Sequence, residues 1–321
     1  MPIASKFSVL IIGYRRSENI AKQLELSRLA GAERIYVAID AANNLDTVAQ
    51  KDVERAQAVV RNFDDAYPHL IRYRFRQLNA GCSASVLSAI QWIFENEELA
   101  IILEDDCIPG DDFFAFVADK STLLKNTPSL WMLSGTQFFP NKSSKYCSLS
   151  KYPMIWGWAT NHQKWQEMNS AMRAELGSAP RPSWSEFTEF HYWKSGARRS
   201  RLGYVDTWDT LLAFWMFALR KTALLPDQNL VKNVGYDMAA SHTFRADEWL
   251  DRNIGNYLSD MAHPTANPTN DALLKDDFYR ISFRHNFSTR LNHLADLLLR
   301  RKKYSNLIGR WDKAKTGPFI P

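Results

Sequence analysis

The sequence predicts an α/β fold built on a doubly wound, mostly parallel sheet, and three observations lead there. Short apolar runs alternate with helical stretches in a β-α-β-α-β-α-β order across the first part of the chain. The run Leu99 to Leu103 is apolar throughout and stops abruptly at acids, as a short buried strand does. Gly13, Asp40, Gly81 and Asp106 all fall just past apolar runs, on what would be one rim of the sheet. That rim, at the carboxyl ends of the strands, is where open α/β sheets bind ligands.

Taken in order, Phe7 to Ile12 is the first strand and ends at Gly13-Tyr14-Arg15-Arg16. Ser17 then caps a helix with Ile20, Leu24 and Leu29 on one face, and Gly31 ends it. Arg34 to Ile39 is a second strand that stops at Asp40. A helix from about Gln50 to Phe63, followed by Pro68, leads to a third strand, Leu70 to Phe75. After Asn79-Ala80-Gly81 comes a helix capped by Ser83, with Val86, Ile90, Ile93 and Phe94 turned inward. The fourth strand ends on Glu104-Asp105-Asp106. Pro109 and Gly110 break the chain, and Asp111 or Asp112 caps an apolar helix from Phe113 to Leu124. Leu130 to Ser134 is one more strand.

Three adjacent acids at a strand tip repel one another, and a cation between them relieves that cost. Hard oxygen ligands suit Mg²⁺ or Mn²⁺, which are held by one or two carboxylates plus substrate phosphates. Glu104-Asp105-Asp106 therefore reads as a metal–diphosphate site.

Composition sets the bounds. The chain has 321 residues, 45% hydrophobic and 13% aromatic, enough for one large domain or two small ones. A net charge of +5 is mild and selects no partner among nucleotides, lipids and nucleic acids. Cys82, Cys107 and Cys147 are an odd number without metal-ligand spacing, so reduced thiols are expected. No signal peptide precedes the first strand, and the longest apolar run, Leu211 to Leu219, is about half a membrane span. These points predict a cytoplasmic protein.

Beyond Ser134 the character changes. Residues 138 to 151 form a Lys- and Ser-rich polar loop. Eight of the eleven tryptophans lie between Trp156 and Trp249, where one or two of them are expected to face a ligand and the rest to pack. Leu211 to Leu219 is a buried helix. Leu294 to Leu299, followed by Arg300-Arg301-Lys302-Lys303, reads either as a basic amphipathic segment resting on anionic lipid or as a packed helix with a solvated end.

Several of these segments also carry a resemblance. Arg16-Ser17 after the first strand, the strand ending at Asp40, and Ile102-Leu103-Glu104-Asp105-Asp106 through Asp112-Phe113-Phe114 all contribute to it. So do Pro128-Ser129-Leu130-Trp131, Gly157-Trp158, Trp208-Asp209 and Ser241-His242. Over about residues 7 to 245 the chain resembles GT-A fold glycosyltransferases, of the N-acetylglucosaminyltransferase I and bacterial family 2 types. The resemblance implies a Rossmann-like sheet whose residues 1–135 bind a nucleotide-sugar. Residues 136–279 would form an aromatic-rich acceptor half and residues 280–321 a basic helical tail. It gives Asp106 the metal, Mn²⁺ or Mg²⁺, and Glu104 and Asp105 the ribose and sugar. The first-strand loop with Gly13 and Arg16, together with Asp40, would hold the base, with Asn79 and Gly81 on the same rim. His242 would ligate the metal or contact phosphate, or else is structural. Asp209 would be the catalytic base, with Asp206 as the fallback; a helix cap remains the other reading of Asp209.

The expected reaction is inverting transfer of a sugar from a UDP-sugar, UDP-N-acetylglucosamine by resemblance, to a hydroxyl of a glycan acceptor. A growing bacterial surface glycan, free or lipid-linked, fits the missing membrane anchor, and no nucleic-acid partner is expected. Two other classes stay open. A sugar nucleotidyltransferase should carry a glycine-rich loop after its first strand, which Gly13-Tyr14-Arg15-Arg16 does not match. A non-catalytic carbohydrate- or nucleic-acid-binding module explains the tryptophans and the basic tail but not the shared polar rim.

Overall fold

The computed structural model describes residues 6–140, 146–235, 253–257, 259, 264–281, 291, 294, 295, 298 and 305–320. In chain order β1 (Ser8–Gly13), α1 (Ser17–Leu29), β2 (Ile35–Ile39), α2 (Thr47–Ala66), β3 (Ile71–Arg76), α3 (Cys82–Phe94) and β4 (Leu99–Glu104) alternate without interruption. Then come β5 (Cys107–Pro109), α4 (Asp111–Asn126), β6 (Leu130–Ser134), β7 (Ser148–Ser150), β8 (Trp158–Asn161) and α5 (His162–Arg173). The next elements are α6 (Phe187–Leu202), α7 (Asp209–Ala218), β9 (Thr222–Leu225), β10 (Val231–Asn233), β11 (Thr265–Ala266) and α8 (Pro268–Leu273). A C-terminal helix (Leu307–Lys315) and β12 (Phe319–Ile320) end the described chain.

One sheet organises all of this, in the order β11-β7-β9-β6-β8-β4-β1-β2-β3-β12. Its centre, β4-β1-β2-β3, is parallel throughout. β8 runs antiparallel between β4 and β6, while β6 and β9 are parallel to each other. The predicted α/β class with a mostly parallel, helix-flanked sheet is therefore what the chain adopts.

Side-chain alternation divides the core between the two faces of the sheet. Val9, Ile11, Ile35, Val37, Ile101 and Leu103 pack under α1, α2 and α4. Leu10, Ile12, Tyr36, Ala100 and Ile102 face α3, α5, α6, α7 and the C-terminal helix. Because α1 and α3 cover opposite faces, the winding reverses between β1 and β4. The crevice at that switch point is the expected ligand position.

Several local readings are corrected. Ser17 is the first helical residue of α1 and does not cap it; Arg16 sits at the cap position without a capping side-chain bond. Leu29 is 65% exposed, because α1 buries Ile20, Gln23, Leu24 and Ser27 instead. The second helix starts earlier, at Thr47, where Asp46 accepts the Ala49 amide. Neither Asp111 nor Asp112 caps α4; Asp112 accepts the Tyr257 amide at 2.7 Å. Within the polar stretch 138–151, residues 148–150 form a strand of the sheet. Of the eight tryptophans, Trp158, Trp165, Trp193, Trp208 and Trp215 pack in the core, in line with the expectation that most of them pack; Trp156 is half-buried, Trp184 is exposed, and Trp249 lies outside the described residues. Residues 305–320 are docked: the C-terminal helix buries Leu307, Trp311 and Ala314, and β12 adds antiparallel to β3. Arg300 to Lys303 lie outside the described residues. Among the described residues no helix is long and apolar enough to cross a membrane.

Candidate functional site

The switch point is built by β1 and β4, which lie side by side with Ile12 opposite Glu104. Gly13 ends β1 where a Cβ would meet the Ile20 side chain, so α1 can cross close to the strand end. The loop after it is tied to the acidic tip of β4. The Tyr14 amide donates to Asp105 Oδ2 at 2.8 Å, and Arg16 Nη1 donates to Asp105 Oδ1 at 2.8 Å. Asn19 donates to the Asp105 carbonyl, and Gln23 to the carbonyls of Glu104 and Cys107. Asp105 is thus buried and fully engaged within the protein.

Its two neighbours have different surroundings. Glu104 and Asp106 are both half-buried. Burial, then the charges of Asp106, Asp105 and Asp209, pushes the Glu104 carboxyl up to about 8, against the opposing pull of Arg16. Burial and Asp105 raise Asp106 as well, although the Cys107 thiol donates to it and Arg16 Nη1 lies 3.9 Å away. One guanidinium therefore serves three crowded carboxyl groups. The Val234 amide donates to the Asp106 carbonyl at 2.7 Å, and a Cβ on Gly235 would collide with the Asp106 carboxylate. β10 pairs antiparallel with β5 and so brings Asn233 to Gly235 alongside the acidic tip.

Asp40 closes the other side of the rim by accepting the amides of Ala41, Ala80 and Gly81 at 3.0 to 3.2 Å. Arg76 Nε lies 3.9 Å from it. Burial still raises its carboxyl to about 6. Asn79 donates to the Ala41 carbonyl at 2.6 Å. Asp40 and Asn79 hold the β2 and β3 loops together. Gly81 has φ +79°, which suits glycine.

The second half of the chain contributes two acids. Asp209 begins α7, half-buried, with Trp208 at the cap position. Its carboxylate accepts from Thr207 and from the Thr210 amide, and its charge reaches Glu104, Tyr192 and Tyr279. Asp206 has a different role from the fallback base. It accepts the amides of Cys82 and Ser83 at 3.0 and 3.3 Å and pairs with Arg310 Nη2 at 2.8 Å. Asp206, and not Ser83, therefore caps α3.

Gly13, Arg16, Asp40, Asn79, Gly81, Glu104, Asp105 and Asp106 all lie along one rim, with Asp209 coupled to it. His242 lies outside the described residues. Among the described residues, no three His, Cys, Asp or Glu side chains form a cluster able to hold a metal by themselves. Two half-buried carboxylates, both raised first by burial and then by neighbouring acids, still fit Mg²⁺ or Mn²⁺, because such ions complete their shells with water and phosphate oxygens. Sequence reasoning missed Asn19, Gln23 and Arg310; nothing in their local pattern marks them, since their partners are distant in the chain.

No protein-family model matches the chain, and no curated protein matches it in sequence. Among solved structures it is similar to UDP-glucose pyrophosphorylase complexed with UDP-glucose. That similarity has 10% identity and a TM-score of 0.35, and spans 69% of this chain and 90% of that one.

Proposed function

We propose that this chain binds a nucleotide-sugar, with a UDP-sugar favoured, and transfers its sugar to a hydroxyl of a glycan acceptor. The observation that carries the reading is the acidic tip at the switch point, where Glu104 and Asp106 repel each other and the charge of Asp209 reaches Glu104 from the second half. Asp106, with Glu104 beside it, would hold Mn²⁺ or Mg²⁺, which when bound offsets the charge developing on a leaving diphosphate. Arg16, fixed by Asp105, supplies a permanent cation on the same side. Asp209 takes the acceptor proton as the acceptor oxygen bonds to the anomeric carbon. The bond from that carbon to the diphosphate oxygen breaks, and its electron pair leaves with the nucleoside diphosphate. Attack opposite the leaving group inverts the anomeric centre. A cytoplasmic location and a surface-glycan acceptor, free or lipid-linked, belong to the same proposal.

A sugar nucleotidyltransferase would use the same sheet and acids. Against it stands the loop after β1, Gly13-Tyr14-Arg15-Arg16, which is short and holds one glycine where that class carries a glycine-rich loop. Thermal shift and titration with UDP-, GDP- and CMP-sugars, with and without Mn²⁺, test the binding. Product analysis then separates sugar transfer from pyrophosphorolysis. Asp106→Ala is expected to lose the Mn²⁺-dependent part of nucleotide binding while melting at least as high as the parent, since it relieves a repelling cluster. Unchanged Mn²⁺-dependent affinity would overturn the assignment.

A further inference from the structure

We infer that Arg310 on the C-terminal helix is a positioning residue for the donor rim, acting through Asp206 on the loop between β3 and α3. Four consecutive amides, from the end of that loop into the first turn of α3, are all taken up by carboxylates: Ala80 and Gly81 by Asp40, Cys82 and Ser83 by Asp206. Asp40 directly follows the neighbouring strand, β2. Asp206 comes from the connection between α6 and α7, and its remaining ion-pair partner is Arg310. The pair is largely withdrawn from water, with side-chain exposures of 12% for Arg310 and 7% for Asp206. Screening by salt is therefore weak, and the carboxylate is held both charged and oriented. Packing at this point is tight. A Cβ on Gly81 would lie 2.6 Å from Asp206 Oδ2 and 3.0 Å from Arg310 Nη1. An anion at the first turn of a helix suits its unsatisfied amides and its dipole.

The loop stands at the carboxyl end of β3, on the same edge of the parallel sheet as the acidic tip of β4. Cys82 is an exposed residue, yet the protein around its sulfur, and then the charges of Glu104, Asp206, Asp209 and Asp106, raise its thiol well above the usual range. A shift of this loop therefore moves the wall of the site. The chain's last helix, sewn down by β12 on β3, fixes that wall from outside. The placement of the loop follows from geometry alone; only its consequence for donor binding rests on the proposed function.

Cys82 is a built-in reporter, because Cys107 and Cys147 are buried. The test is the rate of Cys82 modification by Ellman's reagent in the intact protein and in Arg310→Gln and Arg310→Lys. Removing a cation makes a nearby thiol less acidic, so electrostatics alone would slow the reaction. Release of the loop relieves the crowding around the sulfur of this exposed residue and accelerates it severalfold. Arg310→Lys should bring the rate most of the way back to that of the parent. In the kinetic arm, Arg310→Gln should raise the donor KM by about tenfold and leave kcat nearly unchanged, the signature of lost uniform binding. Unchanged or slower labelling in Arg310→Gln overturns the inference. So does equal acceleration at Cys107 and Cys147, which would mean general loosening. Accelerated, lysine-rescued labelling in a protein that binds no nucleotide-sugar supports the positioning role and rejects the proposed function.

Discussion

At the residue scale, three neighbouring acids of the same strand end meet three different fates. Asp105 points into the loop after β1, where an amide and a guanidinium neutralise it. Glu104 and Asp106 keep partial contact with solvent and stay crowded, each raised by burial and by the others' charge. The strand ends at Glu104 and the chain turns at Asp105 and Asp106, so the three side chains do not share one environment. Asp209 adds a fourth carboxylate from another element. Its Thr210 and Thr207 contacts orient it without consuming both oxygens. Asp209→Asn preserves size and the ability to accept those bonds. It is expected to cut transfer by about a hundred- to ten-thousand-fold while sparing donor binding. Steady-state kinetics beside a donor titration checks this, and near-normal turnover would leave Asp209 an orienting residue of α7.

At the element scale, α3 shows how a helix start can be decided from far away. Its first residues, Cys82 and Ser83, resemble ordinary capping chemistry, yet the capping carboxylate is Asp206, more than a hundred positions later. Gly81 makes the approach feasible. Its φ of +79° is a conformation that side chains disfavour, and the space a Cβ needs is filled by Asp206. Gly81→Ala is therefore expected to cost about 1–2 kcal/mol from the backbone alone, and more from displacing the carboxylate. Urea unfolding measures it. A variant as stable as the parent would show that the loop yields freely, contrary to the close packing described.

At the scale of the whole molecule, the end of the chain closes the structure. Trp311 is fully buried in the core beneath the face that α3 and α5 cover; Arg173 lies 4.1 Å from its ring and the Trp165 ring 6.2 Å away. Arg173 also pairs with Asp312, and β12 covers the open edge of β3. An uncovered edge strand invites pairing with other chains, so this strand also protects the sheet. Trp311→Ala is expected to destabilise the protein by about 3–5 kcal/mol, the cost of an unfilled aromatic site in a core. Chemical denaturation gives the value, and a loss below about 1 kcal/mol would mean that the helix only rests on the surface.

The sequence by itself determined the fold class, the alternation of strands and helices in the first half, and the rim. Those depend on short-range information: apolar runs long enough for one strand, glycines and acids where strands must end, and periodicity that switches between strand and helix. Glu104, Asp106, Asp40 and Gly81 were legible because a parallel sheet sends all such ends to the same side. Only the tertiary structure decided which acids are available and which are engaged. Asp105 and Asp206 read locally as candidates for chemistry, and both are held by partners elsewhere in the chain: Asp105 by Tyr14 and Arg16, Asp206 by Cys82, Ser83 and Arg310. Trp158 and Trp208 likewise stack on each other in the core, although their sequence surroundings suit a sugar-binding wall. A carboxylate's role depends on which donors surround it, and an aromatic ring's on what covers its faces. Chain folding sets both across separations that no local pattern records.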